Sequence, residues 1–280
     1  MIDIESGPVS HMVDSSAADL LAEMNAKKHR ARFAGWVAAA SLVILASSVS
    51  AGDRPVQTIV ASAVCIGLVW YVHQRDVLRK STVLFYDFAD GAESRFQGIH
   101  DAFGTLAEAQ RAWHVESHAA VYDKRYHAGA SDSIRRTVIR PTIGLPPGIR
   151  VNVDIPMLKV GQQLLAFMPE RVLVFDDGQV GAIAYQDILA EVSTTRFIES
   201  EGAPSDSQVV GRTWRFVNKD GSPDRRFNNN RELPIRQYEA LRLTSQSGLN
   251  ELIHLSKTGS SRPLALAIIS LSHIRSPAAT

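Results

Sequence analysis

Two histidines four residues apart, His114 and His118, have the spacing at which a helix presents a pair of metal ligands. They lie in the stretch from Ala112 to Tyr122, whose texture predicts a strand. On a strand they would share a face about 13 Å apart, too far for one ion bound at ~2.1 Å per ligand. His100-Asp101 offers an acid–base pair, yet adjacent residues on a helix point away from each other. Asp176-Asp177-Gly178 could hold a cation, and it equally spells a hairpin turn. The sequence contains no Gly-rich phosphate loop, no nucleophile elbow and no Cys/His cluster. It therefore predicts no catalytic residue, no metal ligand, no cofactor and no enzyme.

One segment carries binding chemistry instead. Arg212, Arg215, Lys219, Arg225, Arg226, Arg231 and Arg236 crowd a polar stretch that also holds Asn228-Asn229-Asn230. Guanidinium forks suit phosphate, whether on a lipid headgroup, a nucleotide or nucleic acid. A long polar loop on a β scaffold is where binding sites commonly lie. Asp220, Asp224, Glu232 and Glu239 offset part of the charge, so a solvated loop with internal ion pairs is the alternative. The formal net charge of +1 argues against a strongly charged nucleic-acid-binding chain.

The element that must place this loop lies upstream. Two uncharged apolar runs, from Phe33 to Ala51 and from Val56 to Val72, are separated only by Gly52-Asp53-Arg54-Pro55. As helices they would be roughly 28 and 26 Å long, close to the thickness of a bilayer core. Neither run has a polar face at helical periodicity, as a half-buried soluble helix would. They are expected to form a transmembrane helical hairpin. Gly35/Ala39 and Ala63/Gly67 are small residues four apart, which either pack the hairpin internally or bring copies together as a homo-oligomer.

The flanks orient the hairpin. Lys27-Lys28-His29-Arg30-Ala31-Arg32 precedes it, and Arg75, Arg79 and Lys80 follow. By the positive-inside rule both termini are cytoplasmic, and Trp36, Trp70 and Tyr71 fall at the same inner interface. Cys65 is the only cysteine and lies inside the second run, which excludes a disulfide framework. The apolar run begins too late for a cleavable signal peptide. Met1–Met12 shows no periodicity and is expected to be flexible, and Ala17 to Lys28 reads as a helix behind an N-cap at Asp14-Ser15-Ser16.

Beyond the hairpin, Thr82 to Phe88 reads as a strand and Gly91 to Ala109 as a helix with Phe96, Ile99 and Phe103 on one face. From Arg111 the texture is β. Strands are expected from Ser133 to Arg140, Ile149 to Ile155, Gln163 to Met168, Val172 to Phe175, Val180 to Tyr185, Leu189 to Ile198, Val209 to Val217, Tyr238 to Thr244 and Leu249 to Leu255. Pro141 to Gly148 reads as a loop, and Pro263 to Ile274 as a closing helix or, alternatively, a strand; at about twelve residues it is too short to span a bilayer.

The unit Leu164-Leu165-Ala166-Phe167-Met168-Pro169-Glu170-Arg171-Val172-Leu173-Val174-Phe175, followed by Val180 to Ile188 with its Tyr185-Gln186-Asp187-Ile188 closure, resembles the repeated hairpin of pleckstrin-homology and GRAM-like domains. The segment Trp214-Arg215-Phe216-Val217-Asn218-Lys219-Asp220-Gly221 with Pro223-Asp224-Arg225-Arg226-Phe227 is similar to uncharacterised bacterial two-transmembrane proteins. Two short helices on a cytoplasmic sensor also resemble the two-span effectors of bacterial phage defence. These resemblances imply a scaffold and a location, and they assign no ligand residue.

The expectation is an α+β membrane protein: a cytoplasmic arm (1–32), a two-helix hairpin (33–72), a juxtamembrane segment (73–110) and a mainly antiparallel, PH/GRAM-like cytoplasmic domain (111–280). It would be a non-enzymatic protein of the bacterial inner membrane, its partners the lipid bilayer, a second copy of itself, and an anionic ligand or protein. The alternative is an antiviral effector that oligomerises and disrupts that membrane.

Overall fold

The computed structural model describes residues 2–4, 6–14, 17–28, 33–50, 55–88, 91–120, 132–199 and 202–273. In chain order these form β1 (Ile2–Asp3), α1 (Ala18–Lys28), α2 (Ala34–Ser50), α3 (Pro55–Lys80), β2 (Thr82–Leu84), α4 (Ala92–Ala107), β3 (Ala112–Ala120), β4 (Asp132–Ile139), β5 (Pro141–Gly144), β6 (Ile149–Val151), β7 (Ile155–Val160), β8 (Gln163–Phe167), β9 (Arg171–Asp176), β10 (Gln179–Ala184), β11 (Ile188–Ile198), β12 (Gln208–Trp214), β13 (Glu232–Ser245), β14 (Asn250–Leu255) and α5 (Arg262–Ser272). The class is α+β, with mostly antiparallel sheets. Two compact units result: a helical one of Asp19–Phe85 and Pro146–Asn152, and a β-rich one of Met1–Ala18, Tyr86–Leu145 and Val153–Thr280.

In the helical unit α2 and α3 pack along each other. Among the described residues one helix, Val56–Arg79, is long and apolar enough to cross a bilayer, and only 6% of its most apolar stretch is buried. At 17 residues α2 is shorter than that requirement. The helix outruns the second apolar run: beyond Val72, α3 continues through Arg75, Asp76 and Arg79 to Lys80. Ala51, the expected end of the first run, lies outside the described residues, as do the connecting Gly52-Asp53-Arg54 and the basic His29–Arg32. Of Thr82–Phe88 only β2 is strand, and it pairs in parallel with β6, Thr82 opposite Ile149.

The β-rich unit is built from two sheets. One is an antiparallel meander in the order β10-β9-β8-β7-β5. The other runs β1-β3-β14-β13-β11, with β4 added to β3 and β12 to β13. Tight turns set the meander: Gly178 takes φ +100° between β9 and β10, as the Asp177-Gly178 dipeptide requires. The apolar faces of both sheets close on α4 and α5, with Phe103, Leu106, Leu158, Leu165, Phe167, Val174, Leu241, Ile253, Leu264 and Ile268 in one buried cluster.

Three expectations need correction. Pro141–Gly144 is a strand, not a loop; β5 is an edge strand, where Pro141 deprives no neighbour of a donor. Ile149–Ile155 is not one strand, because the chain bends at Asn152-Val153 and its two ends join different units. The stretch 1–12 is expected to be flexible, but its described residues are bound across both sheets. Ile2 pairs with His118, Met12 is fully buried, and Ala182 donates its N–H to the Met12 carbonyl at 2.8 Å. Arg171 anchors the same arm through Asp14 at 2.9 Å.

Candidate functional site

The contact between α2 and α3 is lined by small and weakly polar side chains. Half-buried or buried positions recur at Ala34, Val37, Ala38, Ser41 and Leu45 on α2, and at Thr58, Ala61, Ser62, Cys65, Val69, Val72 and Asp76 on α3. This alternation of three and four is the seam of two closely packed helices. Two hydroxyls are satisfied by their own helix: Ser62 donates to the Thr58 carbonyl at 2.8 Å, and Ser47, on the exposed side, to Ile44 at 2.8 Å. Gly35, Ala39, Ala63 and Gly67 do not join this seam. All four are exposed, and a Cβ placed on Gly35 or Gly67 would meet nothing within 4 Å.

The charged end of the pair is tied. Asp76 Oδ2 accepts the backbone N–H of Phe33 at 2.7 Å and of Ala34 at 2.8 Å, so a carboxylate on α3 caps the N-terminus of α2. Arg79 sits over the Phe33 ring at 6.0 Å, and Lys27 reaches the Ser81 carbonyl at 3.2 Å. Trp36 and Trp70 remain 79% and 64% exposed.

The basic segment is an ordered knot. Phe216 stacks on Phe227 with centroids 4.1 Å apart, and the Asn230 side chain bonds both backbone groups of Phe216. Asp224 is buried and holds the Arg226 guanidinium at two points, Nε to Oδ1 at 3.0 Å and Nη2 to Oδ2 at 2.6 Å. Arg212 pairs with Glu232 at 2.8 Å. Hydrogen bonds from Ser222 hold the Asp220 carboxyl below its usual range. Arg231 is exposed and engaged with its surroundings. Lys219 and Arg225 are exposed, and Arg215 lies against the Phe216 ring at 5.3 Å.

Two residues counted with this segment do not belong to its open charge. Arg236 donates to the Pro204 and Ser207 carbonyls at 3.1 and 2.7 Å. Glu239 is buried and accepts the N–H of Gly259 and of Ser261, each at 2.5 Å, together with the Ser261 hydroxyl. Each is drawn into contacts with the protein on its own face of β13, which a count of charges along the segment does not register.

A polar cleft that the sequence motifs did not single out lies elsewhere in the β-rich unit. It encloses about 200 Å³. His114 pairs across β3 and β14 with Ile253, so Glu251, two residues away on β14, falls on the same face of the sheet. His114 Nε2 and Glu251 Oε2 are 2.7 Å apart, with both side chains 3% exposed. The other Glu251 oxygen accepts the Ser6 hydroxyl at 2.5 Å, and Ser6 Oγ in turn accepts the N–H of Asn250 at 3.0 Å. On the far wall Gln163 Nε2 donates to Asp176 at 3.3 Å and to the Gly7 carbonyl at 3.4 Å. Ser6 is bonded to the carboxylate rather than to the imidazole. The signal in the sequence was Glu251 itself, a charge in the inward register of Leu249, Ile253 and Leu255. His118, its supposed metal partner, pairs by its backbone with Ile2 beyond a bulge between Val115 and Ser117.

The opposite face of the same sheet holds a half-buried cation. The Arg136 guanidinium carbon lies 4.2 Å from the Trp113 ring and 4.0 Å from that of Phe197, and Arg136 pairs with Glu199 at 2.7 Å. Tyr238 donates to the same Glu199 oxygen at 2.5 Å, and burial followed by that carboxylate pushes its phenol well up. His254 sits against this group. Burial, and then Arg136, lower its pKa to about 4.

No family model matches the chain, and neither a curated protein nor a solved structure resembles it significantly.

Proposed function

We propose that the protein is a non-enzymatic, membrane-anchored binding module of a bacterial inner membrane. Its α2–α3 pair spans the bilayer with both termini in the cytoplasm, and its β-rich unit, a PH/GRAM-like scaffold, reads a ligand or partner there. The observation that carries the reading is the bare helix pair. Val56–Arg79 is nearly uncovered by protein, and its apolar flank would cost about 25 cal/mol per Å² to hold in water. The capped, positively charged end suits the cytoplasmic side. The basic knot supports a binding role through Arg215, Lys219 and Arg225, which are exposed; Arg212 and Arg226 support it less, since carboxylates already hold them.

The test uses the single cysteine. In a Cys65→Ser background, a cysteine introduced by Asp53→Cys should react with a membrane-impermeant maleimide added outside intact spheroplasts. One introduced by His11→Cys should react only after lysis. Recovery of the chain in the soluble fraction, or equal labelling of both positions, would remove the topology.

A second reading is favoured by the outward placement of Gly35, Ala39, Ala63 and Gly67. In it, hairpins from several copies associate through these faces and breach the membrane, as in two-span antiviral effectors. Overexpression should then collapse the membrane potential reported by a dye, and Gly35→Leu with Gly67→Leu should prevent it. An undisturbed potential under overexpression removes this reading.

A further inference from the structure

Among the described residues, the cleft between Ser6, His114, Gln163, Asp176 and Glu251 is lined by no lysine or arginine. Four of its buried polar atoms, His114 Nδ1 and Nε2, Gln163 Oε1 and Glu251 Oε2, have no hydrogen-bond partner among the described residues, although Nε2 and Oε2 lie 2.7 Å apart. Buried polar atoms rarely go unsatisfied, because each costs the desolvation of a lost hydrogen bond. The Gln163 amide is oriented by its own contacts, since Nε2 faces two acceptors, Asp176 Oδ2 and the Gly7 carbonyl. Its orphan is therefore an acceptor. In the tautomer that places the proton on Nε2, the ring nitrogen near Glu251, His114 Nδ1 is also an acceptor.

Gly161 keeps the imidazole edge open. It takes φ +54°, and a Cβ there would come 3.4 Å from His114 Cε1 and 3.7 Å from Nδ1. The walls thus present two orphan acceptors and two carboxylates to a space of about 200 Å³. That set is complementary to a small cation rich in N–H donors. An anion would meet two like charges, and a quaternary ammonium would leave every acceptor unpaired.

We infer that this cleft is a binding site for a small primary ammonium or guanidinium ion, held by Asp176, Gln163 Oε1, His114 Nδ1 and the Glu251 carboxylate. The inference deepens the reading of the β-rich unit as a binding module, but it stands on the cleft alone. Ser6 and Gly7 belong to the N-terminal arm, so an occupied cleft also fastens that arm between β8 and β14.

The experiment is titration calorimetry on the full chain in detergent micelles, with ethylammonium and methylguanidinium chloride as probes. Tetramethylammonium chloride, sodium acetate and sodium chloride serve as controls at matched ionic strength. Saturable binding of one equivalent of at least one N–H cation is expected, with no heat of binding from the controls. Asp176→Asn should weaken it about tenfold through loss of one charge. Gln162→Lys, at an exposed position on the rim, should abolish it by tethering a competing ammonium. Hydrogen exchange at the Gly7 amide should slow when the probe is bound. Absence of saturable binding by both cations, equal binding of tetramethylammonium, binding of acetate, or unchanged affinity in both variants would overturn the inference. Because micelles suffice, such failure is distinct from failure of the membrane topology.

Discussion

The carboxylate of Asp76, near the end of α3, accepts the backbone N–H of Phe33 at the start of α2 at 2.7 Å. A second bond from Ala34 completes the cap. The small-residue seam packs the two helices along their length, and this polar clamp fixes their register at the charged end. Asp76→Ala should remove about 1–2 kcal/mol of local stability, and hydrogen exchange at the Phe33 and Ala34 amides should rise by tenfold or more. Asp76→Asn, which keeps an acceptor oxygen, should recover most of that protection.

Gly181 on β10 is where the N-terminal arm crosses. A Cβ there would lie 2.8 Å from the carbonyls of Val9 and Met12 and from Val9 Cγ1. Backbone atoms cannot yield as a flexible side chain would. Gly181→Ala should therefore lift the 9–12 segment from the sheet and cost about 1–3 kcal/mol, with the Ala182 amide losing its protection first. Unchanged exchange at Ala182 would show that the arm is not seated as described.

Local chemistry was readable in advance, and long-range partnership was not. Asp177-Gly178 announces its turn, and the spacing of Phe96, Ile99 and Phe103 announces the buried face of α4, because each signal is complete within a few residues. The arm gave no such signal: Met12 is buried by β10, far along the chain, with no periodicity of its own. Ser6 and Glu251, 245 positions apart, illustrate the same limit in the cleft. In the hairpin, small residues occur on both sides of α2 and α3, so composition alone could not choose the seam through Ser41 and Cys65 over the outward faces of Gly35 and Gly67. The basic segment was legible as charge. Its ion pairs depend on a fold that turns Asp224 onto Arg226 and draws Arg236 away to Ser207.

Glu239 occupies the N-terminus of α5. It takes the donors of Gly259 and Ser261, and Ser261 is itself fully buried. Truncation by Glu239→Ala would leave these donors orphaned in the interior, at a cost of about 3 kcal/mol or more in the chemical denaturation of the β-rich unit. Glu239→Gln retains one acceptor oxygen and should fall between the two. If both variants unfold with the wild-type midpoint, water replaces the carboxylate and the cap is dispensable.

His254 supplies the pH dependence. Its folded pKa is about 4, against an ordinary 6.5, because it is buried and faces Arg136 beside Trp113 and Tyr238. Between these values the unfolded chain binds a proton that the folded chain refuses, so stability rises with pH across the window. Its contribution is complete above pH 6.5 and is lost as pH falls toward 4, which amounts to about 2 kcal/mol on going from pH 7 to 5. Ordinary carboxylates titrate mainly below that interval, so the upper part of the window reports on the histidine. Denaturant midpoints measured at pH 7, 6 and 5 should fall in the wild type. They should stay nearly level over the same range in His254→Leu, whose side chain suits the surrounding aromatic rings. A wild-type midpoint that does not move between pH 7 and 5 would mean that Arg136 and the buried strand face exert no such pressure on His254.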